Sequence, residues 1–164
     1  MSKRIQSKEN QTKLKAIFTL VTVILFLVIW TFTGLEKLIN WQVSYKAFHN
    51  QPFPFSLADM LAYGIPITEL LLAFALAAKP LRWWGLMGSV LLLSVFTTYV
   101  GLIWWNVFDR VPCNCAGFIE AMGWPGHFYF NSALLCLGIA ALWMERVDGQ
   151  MISNKNTIHE DKIS

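Results

Sequence analysis

Charged residues are scarce in this sequence. They make up 14% of its 164 residues, whereas 55% are hydrophobic, and they leave long stretches with almost no charge. A water-soluble protein of this length could not bury so much apolar surface, so the composition indicates a protein whose solvent is the lipid bilayer. The net charge of +3 is small, and the basic residues form no single patch, which argues against a nucleic-acid partner. The sequence also contains no internal repeat, no glycine-rich phosphate loop and no nucleic-acid-binding module.

Four apolar stretches are long enough to cross a bilayer, which takes about 20 residues of helix. The first is too long for the apolar part of a signal peptide and has no small-x-small cleavage site, so it is expected to remain as an anchor. The predicted fold is all-α, an integral membrane four-helix bundle in residues 16–144, between a tail of residues 1–15 and a loose polar tail of residues 145–164. The predicted spans are residues 16–39, 57–78, 83–107 and 127–144.

Basic residues are distributed unevenly between the two sides of these spans. Ten of the 13 Lys and Arg residues lie in the two tails or in the short turn between the second and third spans. Only Lys37, Lys46 and Arg110 lie on the other side. The positive-inside rule therefore predicts a multi-pass protein of the cell inner membrane, with both termini cytoplasmic and the loop between the third and fourth spans extracytoplasmic.

Cysteine is also scarce, yet two of the three cysteines, Cys113 and Cys115, are one residue apart in VPCNCAG. In an oxidising compartment such a pair tends to form a disulfide, and one that closes so small a ring is labile and contributes little stability. We therefore favour a redox-active pair over incidental thiols or thiols that pair with another protein. Two thiolates and His127 could instead bind Cu(I) or Zn(II), but a fourth ligand would have to be the distant His49, so no metal site is predicted.

The third cysteine, Cys136, is expected to lie apart from this pair. When the fourth span is drawn as a helix, His127, Asn131, Leu134 and Gly138 share one face, and Cys136 lies about 180° from His127. We expect Cys136 to face lipid or to serve in packing.

Glu69 lies well inside the second span, in PITELLL. An ionisable residue at that depth is costly, and it marks a functional site or a buried pair. Ala62, Pro66, Glu69 and Ala73 share the small-residue face that is expected to pack inward. Two interpretations stay open: a protonated carboxyl group that bonds near the backbone carbonyl freed by Pro66, and a proton relay. Lys37 either extends to the membrane interface or reaches Glu69 as its counter-charge.

Polar residues also mark the outer ends of the first and fourth spans. Glu36 precedes Lys37 at the end of the first span, and His127 and Asn131 begin the fourth. His127 could exchange the proton that accompanies thiol chemistry, or it could cap the helix or hydrogen-bond across the bundle. Trp124 is expected to anchor the chain at the interface.

Residues 16–144 resemble the MauE/DoxX group of redox-associated membrane proteins, most closely its MauE branch. The motifs that carry this resemblance are TGLEKL, PITELLLAFAL, PCNCAGF and MGWPGHFYFN. The matching positions are Gly34, Lys37, Glu69, Cys113, Cys115, Trp124, His127 and Asn131.

The resemblance implies a four-helix bundle that takes part in extracytoplasmic thiol–disulfide or electron-transfer chemistry. MauE proteins are associated with the maturation of methylamine dehydrogenase, whose small subunit is rich in disulfides. DoxX relatives are associated with quinone-linked oxidation of sulfur compounds, so membrane quinone is the cofactor to consider, although the sequence has no motif for binding it. The implied partners are the lipid bilayer and an extracytoplasmic thioredoxin-like or substrate protein.

The predicted function is that of a membrane redox protein that uses Cys113 and Cys115 for thiol–disulfide exchange or electron transfer and supports the maturation of extracytoplasmic proteins. Two alternatives stay open: a non-catalytic membrane assembly subunit, and a protein that handles a soft metal such as copper or zinc. The catalytic candidates are Cys113, Cys115, His127 and Glu69. The relay or structural candidates are Lys37, Glu36, Asn131 and Trp124.

Overall fold

A computed structural model describes the backbone of residues 2–108 and 118–160 and the side chains of residues 6, 7, 9–108 and 123–145. The backbone in these ranges is helical apart from short turns, and it contains no strand. A short 3-10 turn, Lys79–Leu81, connects the third and fourth α-helices. The α-helices are α1 (Ser2–Ile39), α2 (Trp41–His49), α3 (Phe55–Ala77), α4 (Arg82–Trp104) and α5 (Phe118–Glu160).

Four of the described helical segments are long and apolar enough to cross a membrane, which confirms the prediction of an all-α protein with four candidate spans. The helical backbone is longer than the predicted spans at both ends of the chain. It begins at Ser2 and continues to Glu160, so it extends into both tails, in the second of which the sequence predicts a loose polar chain. The candidate spans are Glu9–Ile39, Phe55–Ala77, Lys79–Trp104 and Gly123–Glu145.

The four long helices form a closed ring. α1 packs mainly on α3, and α4 mainly on α5, while α3 also contacts α4 and α1 also contacts α5. Each of these four long helices runs antiparallel to the next one in sequence, as is usual where connections are short. The start of α1 and the end of the fourth span therefore lie at one end of the bundle. The end of α4 and the start of the fourth span lie at the other, which we call the α2 end because α2 lies there.

A break at Asn40 separates α1 from the short helix α2, which packs against α3. Asn40 leaves the helical conformation, with φ −95° and ψ 42°, and α2 begins at the next residue. The ring of Trp41 lies 4.7 Å from that of Tyr63, centroid to centroid, and the Tyr45 hydroxyl donates to Asp59 at 2.7 Å. These contacts hold α2 against the first half of α3.

A sharp bend interrupts α5 at Gly123, where φ is 64° and ψ is 172°. Glycine adopts a positive φ at no steric cost, so it suits this position. Pro125 follows in the first turn of the straight segment, where a missing backbone N–H leaves no hydrogen bond unmade. The bend therefore places His127 in the first turns of the helix that crosses the bundle.

The core contains buried hydrogen bonds as well as apolar contacts. Trp30 Nε1 donates to Ser89 Oγ at 2.9 Å, and that hydroxyl donates to the Gly85 carbonyl oxygen at 2.7 Å. These bonds join α1 to α4 and satisfy buried polar atoms, which would otherwise destabilise the fold. The apolar side chains around them are those of Val23, Phe26, Ala73, Leu76, Leu86, Leu93, Leu134 and Ala141.

Candidate functional site

α3 presents Glu69 to the interior of the bundle. The Glu69 side chain is 1% exposed, and Ala62, Pro66 and Ala73 on the same face are also buried. This confirms that the small-residue face of the second span packs inward. Because these neighbours are small, another helix can approach the carboxyl group closely.

α1 makes that close approach at Gly34. A Cβ atom added to Gly34 would lie 3.0 Å from the Leu70 side chain and 3.3 Å from the Pro66 carbonyl oxygen. Lys37 follows three residues later, on the same side of α1. The lack of a side chain at Gly34 therefore brings the two backbones close enough for Lys37 to reach Glu69.

Lys37 and Glu69 form an ion pair inside the bundle. Lys37 Nζ lies 3.0 Å from Glu69 Oε1 and 3.1 Å from Oε2, and it donates a third bond to the Thr33 carbonyl oxygen at 3.3 Å. Of the two predicted positions for Lys37, the structure has the one paired with Glu69. The carboxylate bonds to this lysine, and Pro66 contributes through packing.

Two more ionisable groups interact electrostatically with this pair. The charge of Glu36 acts on Glu69, and the charge of Lys37 acts on His127. Charges interact more strongly inside a bundle than in water, because the surrounding dielectric is lower. Lys37 and Glu69 are thus in direct contact, whereas Glu36 and His127 are near enough for their charges to interact with the pair.

His127 and Asn131 lie one turn apart on α5 and turn polar atoms inward. Asn131 is 5% exposed, and Leu134 and Gly138 on the same face are buried, which confirms the predicted inward face of the fourth span. His127 Nδ1 and Asn131 Nδ2 are both buried, and neither has a hydrogen-bond partner within the described part of the chain. We call Lys37, Glu69, His127 and Asn131 the polar cluster.

Aromatic rings surround the start of the straight segment of α5. Phe128 lies 5.5 Å from Trp104, and Tyr129 lies 5.8 Å from the same ring, between centroids. Trp124 is half-buried directly after the Gly123 bend, and its role as an interface anchor stays a prediction. These contacts pack the residues that directly follow His127 in sequence against the end of α4, at the α2 end of the bundle.

Cys113 and Cys115 lie outside the described residues, so their roles stay predictions. In sequence they belong to the connection between α4 and α5, which also precedes His127. Cys136 is exposed and forms no disulfide within the described residues, and its exposure agrees with its expected position away from the inward face. Within the described ranges no group of three His, Cys, Asp or Glu side chains could hold a metal ion.

Tyr45, His49 and Asp59 form a second polar cluster at the α2 end, which was not predicted from the sequence. Asp59 Oδ1 accepts from the Tyr45 hydroxyl at 2.7 Å and lies 3.1 Å from His49 Nε2. His49 Nδ1 lies 3.0 Å from the Tyr45 carbonyl oxygen. The hydrogen bond to Asp59 raises the pKa of Tyr45, and desolvation and the Asp59 charge add to the effect. The signal available in the sequence was the spacing of four between Tyr45 and His49 on α2.

α4 has a stripe of residues that faces the core and was not predicted from the sequence either. Its members are four residues apart, a spacing that in a membrane helix indicates an interface with a neighbouring helix. They are Gly85, Ser89, Leu93, Thr97 and Gly101, and all are buried.

The family model described as Methylamine utilisation protein MauE matches residues 15–144 of this chain. The matched segment covers all four candidate spans apart from the first residues of the first span and the last residue of the fourth, and it includes the polar cluster and both cysteines of the VPCNCAG motif. No curated protein and no solved structure matches the chain.

Proposed function

Because the chain belongs to the methylamine utilisation protein MauE family, we propose that it supports the maturation of an extracytoplasmic protein by thiol–disulfide exchange through Cys113 and Cys115. Family membership associates the chain with methylamine utilisation, and its four candidate spans indicate a multi-pass membrane protein. The distribution of Lys and Arg supports an orientation in which both cysteines face outward.

One observation carries this proposal: two members of the polar cluster, His127 and Asn131, lie at the start of the span that follows the cysteine motif in sequence and have buried polar atoms. Glu69 and Asn131 are 1% and 5% exposed, positions at which polar side chains are costly in a membrane protein. Replacing a buried ion pair by apolar residues often leaves stability unchanged or improves it, so stability alone is a weak reason to keep one. A role in proton transfer accounts for the presence of an acid (Glu69), a base (Lys37) and a histidine (His127) in the polar cluster.

In the proposed exchange, one cysteine thiolate attacks a sulfur of the partner's disulfide and releases the other sulfur as a thiolate. The remaining cysteine then attacks the mixed disulfide and releases the partner as a dithiol, so the pair is oxidised as the partner is reduced. The same steps in reverse oxidise the partner. Electrons pass to or from a thioredoxin-like protein or membrane quinone.

Each direction of exchange requires protons to leave or reach thiols. A free thiol has a pKa of about 8.5, so a nearby base is needed to produce the thiolate near neutral pH. In this proposal His127 accepts that proton and Glu69 is the second acceptor. The positive charge of Lys37 compensates the negative charge of the buried Glu69 carboxylate.

A redox titration tests whether the pair is reactive. We expect the disulfide of Cys113 and Cys115 to have a potential above about −300 mV, the upper end of the range for structural disulfides, because its small ring is strained. The purified protein is equilibrated in glutathione or dithiothreitol buffers, and free thiols are counted by alkylation. A pair that stays reduced under oxidising conditions, or that opens only in strong reductant, would contradict the proposal.

Trapping identifies the partner. With Cys113→Ser or Cys115→Ser the resolving thiol is absent, so one of the two variants should accumulate a mixed disulfide that disappears under reductant. Cys136→Ser is the matched control and should accumulate none.

If both cysteines can become serine with unaltered function, the chain is an assembly subunit. Metal that copurifies at a fixed ratio and is lost with either cysteine indicates a soft-metal protein instead.

The proton role of Glu69 is tested separately. Glu69→Gln keeps the shape and hydrogen bonding of the side chain but cannot carry charge. We expect exchange with the trapped partner to slow about 10²-fold or more, the usual contribution of acid–base catalysis, while the protein still inserts and accumulates. Wild-type exchange rates in this variant would leave Glu69 with a packing role only.

A further inference from the structure

Two buried polar atoms on the inward face of α5 have no hydrogen-bond partner among the described residues. They are Asn131 Nδ2 and His127 Nδ1. Buried polar groups in native proteins almost always have a hydrogen-bond partner, so each exception requires an explanation. The two atoms belong to residues one turn apart on the same side of one helix, and a single occupant can therefore serve both.

The chemistry of the neighbouring groups restricts that occupant. Asn131 Nδ2 only donates, so the occupant must accept a hydrogen bond. Lys37 Nζ already contacts both Glu69 oxygens and the Thr33 carbonyl oxygen, so it does not need the occupant as an acceptor. The Glu69 carboxylate has further lone pairs and therefore favours an occupant that also donates.

The imidazole of His127 further restricts which occupant can bind here. Its Nδ1 donates in one tautomer and accepts in the other, so the occupant has to satisfy either form. Water both donates and accepts, whereas a ligand carbonyl only accepts. A cation would be repelled by Lys37, and an anion by Glu36 and Glu69.

We propose that His127 and Asn131 bind ordered water, which connects them by hydrogen bonds to the Lys37–Glu69 pair. Such water provides a path along which a proton moves between the imidazole and the carboxylate without any change in covalent bonding. Both atoms are buried, so water at this site would exchange slowly with bulk solvent. The hydration rests on the geometry of the polar cluster, and its use as a proton path rests on the proposed function.

The first test observes the wild-type chain directly. The full-length protein is labelled with ¹⁵N-asparagine and reconstituted in lipid nanodiscs, and cross-peaks between side-chain amide protons and water are recorded by NMR. The Asn131 signal is identified by its loss in Asn131→Gln. We expect a cross-peak between the Asn131 amide and water. Amide protons that are protected from water and show no cross-peak would overturn the proposal.

The second test asks whether the two residues share the same water. In ¹⁵N-histidine-labelled protein, Asn131→Leu removes one partner of that water, so the His127 ring signal should lose its water contact or exchange about tenfold faster with bulk solvent. Cys136→Ser is the matched control on the opposite face of α5 and should leave the signal unchanged. His49 is an internal reference, because Asn131→Leu does not alter its contacts with Tyr45 and Asp59. A His127 signal that is identical in Asn131→Leu and the wild type would refute a shared water.

The outcomes separate this inference from the proposed function. Replacing both Cys113 and Cys115 by serine abolishes exchange but should leave the water contacts of Asn131 in place. If exchange proceeds normally and Asn131 shows no water, the hydration proposal fails alone. If Asn131 is hydrated and the cysteines are unreactive, the water site stands and the thiol function fails.

Discussion

At the scale of single residues, Lys37 and Glu69 form one ion pair but are buried to different extents. Lys37 is 21% exposed, and its long side chain can turn its ammonium group toward the membrane interface. Glu69 is 1% exposed and has a short side chain, so it cannot reach water. The two partners should therefore respond differently to the loss of the other.

This inequality predicts that Lys37→Met destabilises the protein more than Glu69→Gln does. Lys37→Met leaves an uncompensated buried acid, and breaking a buried pair in this way costs about 3–5 kcal/mol. In Glu69→Gln the lysine can still be solvated, so the loss should be smaller. Thermal or denaturant unfolding of the purified protein in detergent gives the comparison.

The double variant Lys37→Met/Glu69→Gln is the critical control. It removes both charges and should recover much of the stability lost in Lys37→Met, since apolar or neutral replacements of a buried pair are often tolerated. Lys46→Met, at an exposed lysine of α2, should have little effect. Equal losses in the two single variants would contradict the unequal burial described above.

At the scale of helices, the contact between α3 and α4 depends on Gly85. A Cβ atom added there would lie 2.9 Å from the Leu76 backbone nitrogen and 3.1 Å from the Ala75 carbonyl carbon. Backbone atoms cannot move aside as a flexible side chain can. Close approach through small residues is also a main way in which membrane helices pack.

Gly85→Ala should therefore push α4 away from α3 and destabilise the protein by about 1–3 kcal/mol, the usual cost of overpacking. The matched control is Gly64→Ala on α3, where an added Cβ atom meets nothing within 4 Å. That variant should be neutral or stabilising by up to about 1 kcal/mol, because alanine favours helix more than glycine does. Unfolding midpoints of the two variants and the wild type provide the measurement. Similar stability of the two variants would show that α3 and α4 are not in tight contact at Gly85.

The contact between α2 and α3 has a pH dependence that follows from Tyr45. Its pKa is raised, first by the hydrogen bond to Asp59, so the folded state favours the protonated phenol. This stabilising contribution is complete below the ordinary tyrosine pKa of about 10 and is lost as the pH rises through the higher folded value. The contact between Tyr45 and Asp59 should therefore weaken in strongly alkaline solution.

We expect Asp59→Asn to lower the pKa of Tyr45 toward its ordinary value. The change removes both the carboxylate acceptor and its charge, which are the first and third contributions to the upward shift. Absorbance of the phenolate during an alkaline titration measures it, and Tyr45→Phe identifies the contribution of this residue among the four tyrosines. An unchanged titration of Tyr45 in Asp59→Asn would rule out the bond to Asp59 as the main cause.

At the scale of the whole molecule, the even number of spans has a consequence for the ends of the chain. Four antiparallel crossings would put both tails on one side of the membrane and the connection between α4 and α5 on the other. Ten of the 13 basic residues belong to the tails and to the α3–α4 turn. The positive-inside rule then predicts that the cysteine pair faces outward.

Labelling of intact spheroplasts tests this orientation. A membrane-impermeant thiol reagent, added after reduction, should label Cys113 or Cys115, while Cys136 inside the fourth span should stay unlabelled. The Cys136→Ser variant should give the same signal as the wild type, and Cys113→Ser/Cys115→Ser should give none. Labelling that appears only after the membrane is broken would reverse the orientation and remove the redox argument.

The sequence by itself determined the parts of this protein that depend on local patterns. Apolar runs of sufficient length gave the four spans, because a bilayer accepts few other structures. Helical periodicity gave the inward faces of the second and fourth spans. The depth of Glu69 in its span identified it as a residue that requires a partner or a role.

Only the tertiary structure decided which partner Glu69 takes and how the helices are arranged. Lys37 is 32 residues away in sequence, and its contact with Glu69 depends on the close approach of two backbones at Gly34. The bond between Trp30 and Ser89, 59 residues apart, likewise depends on α1 and α4 both facing one core. Local patterns specify which side of a helix is buried, but they do not specify which helix it faces, because many pairings bury similar apolar area.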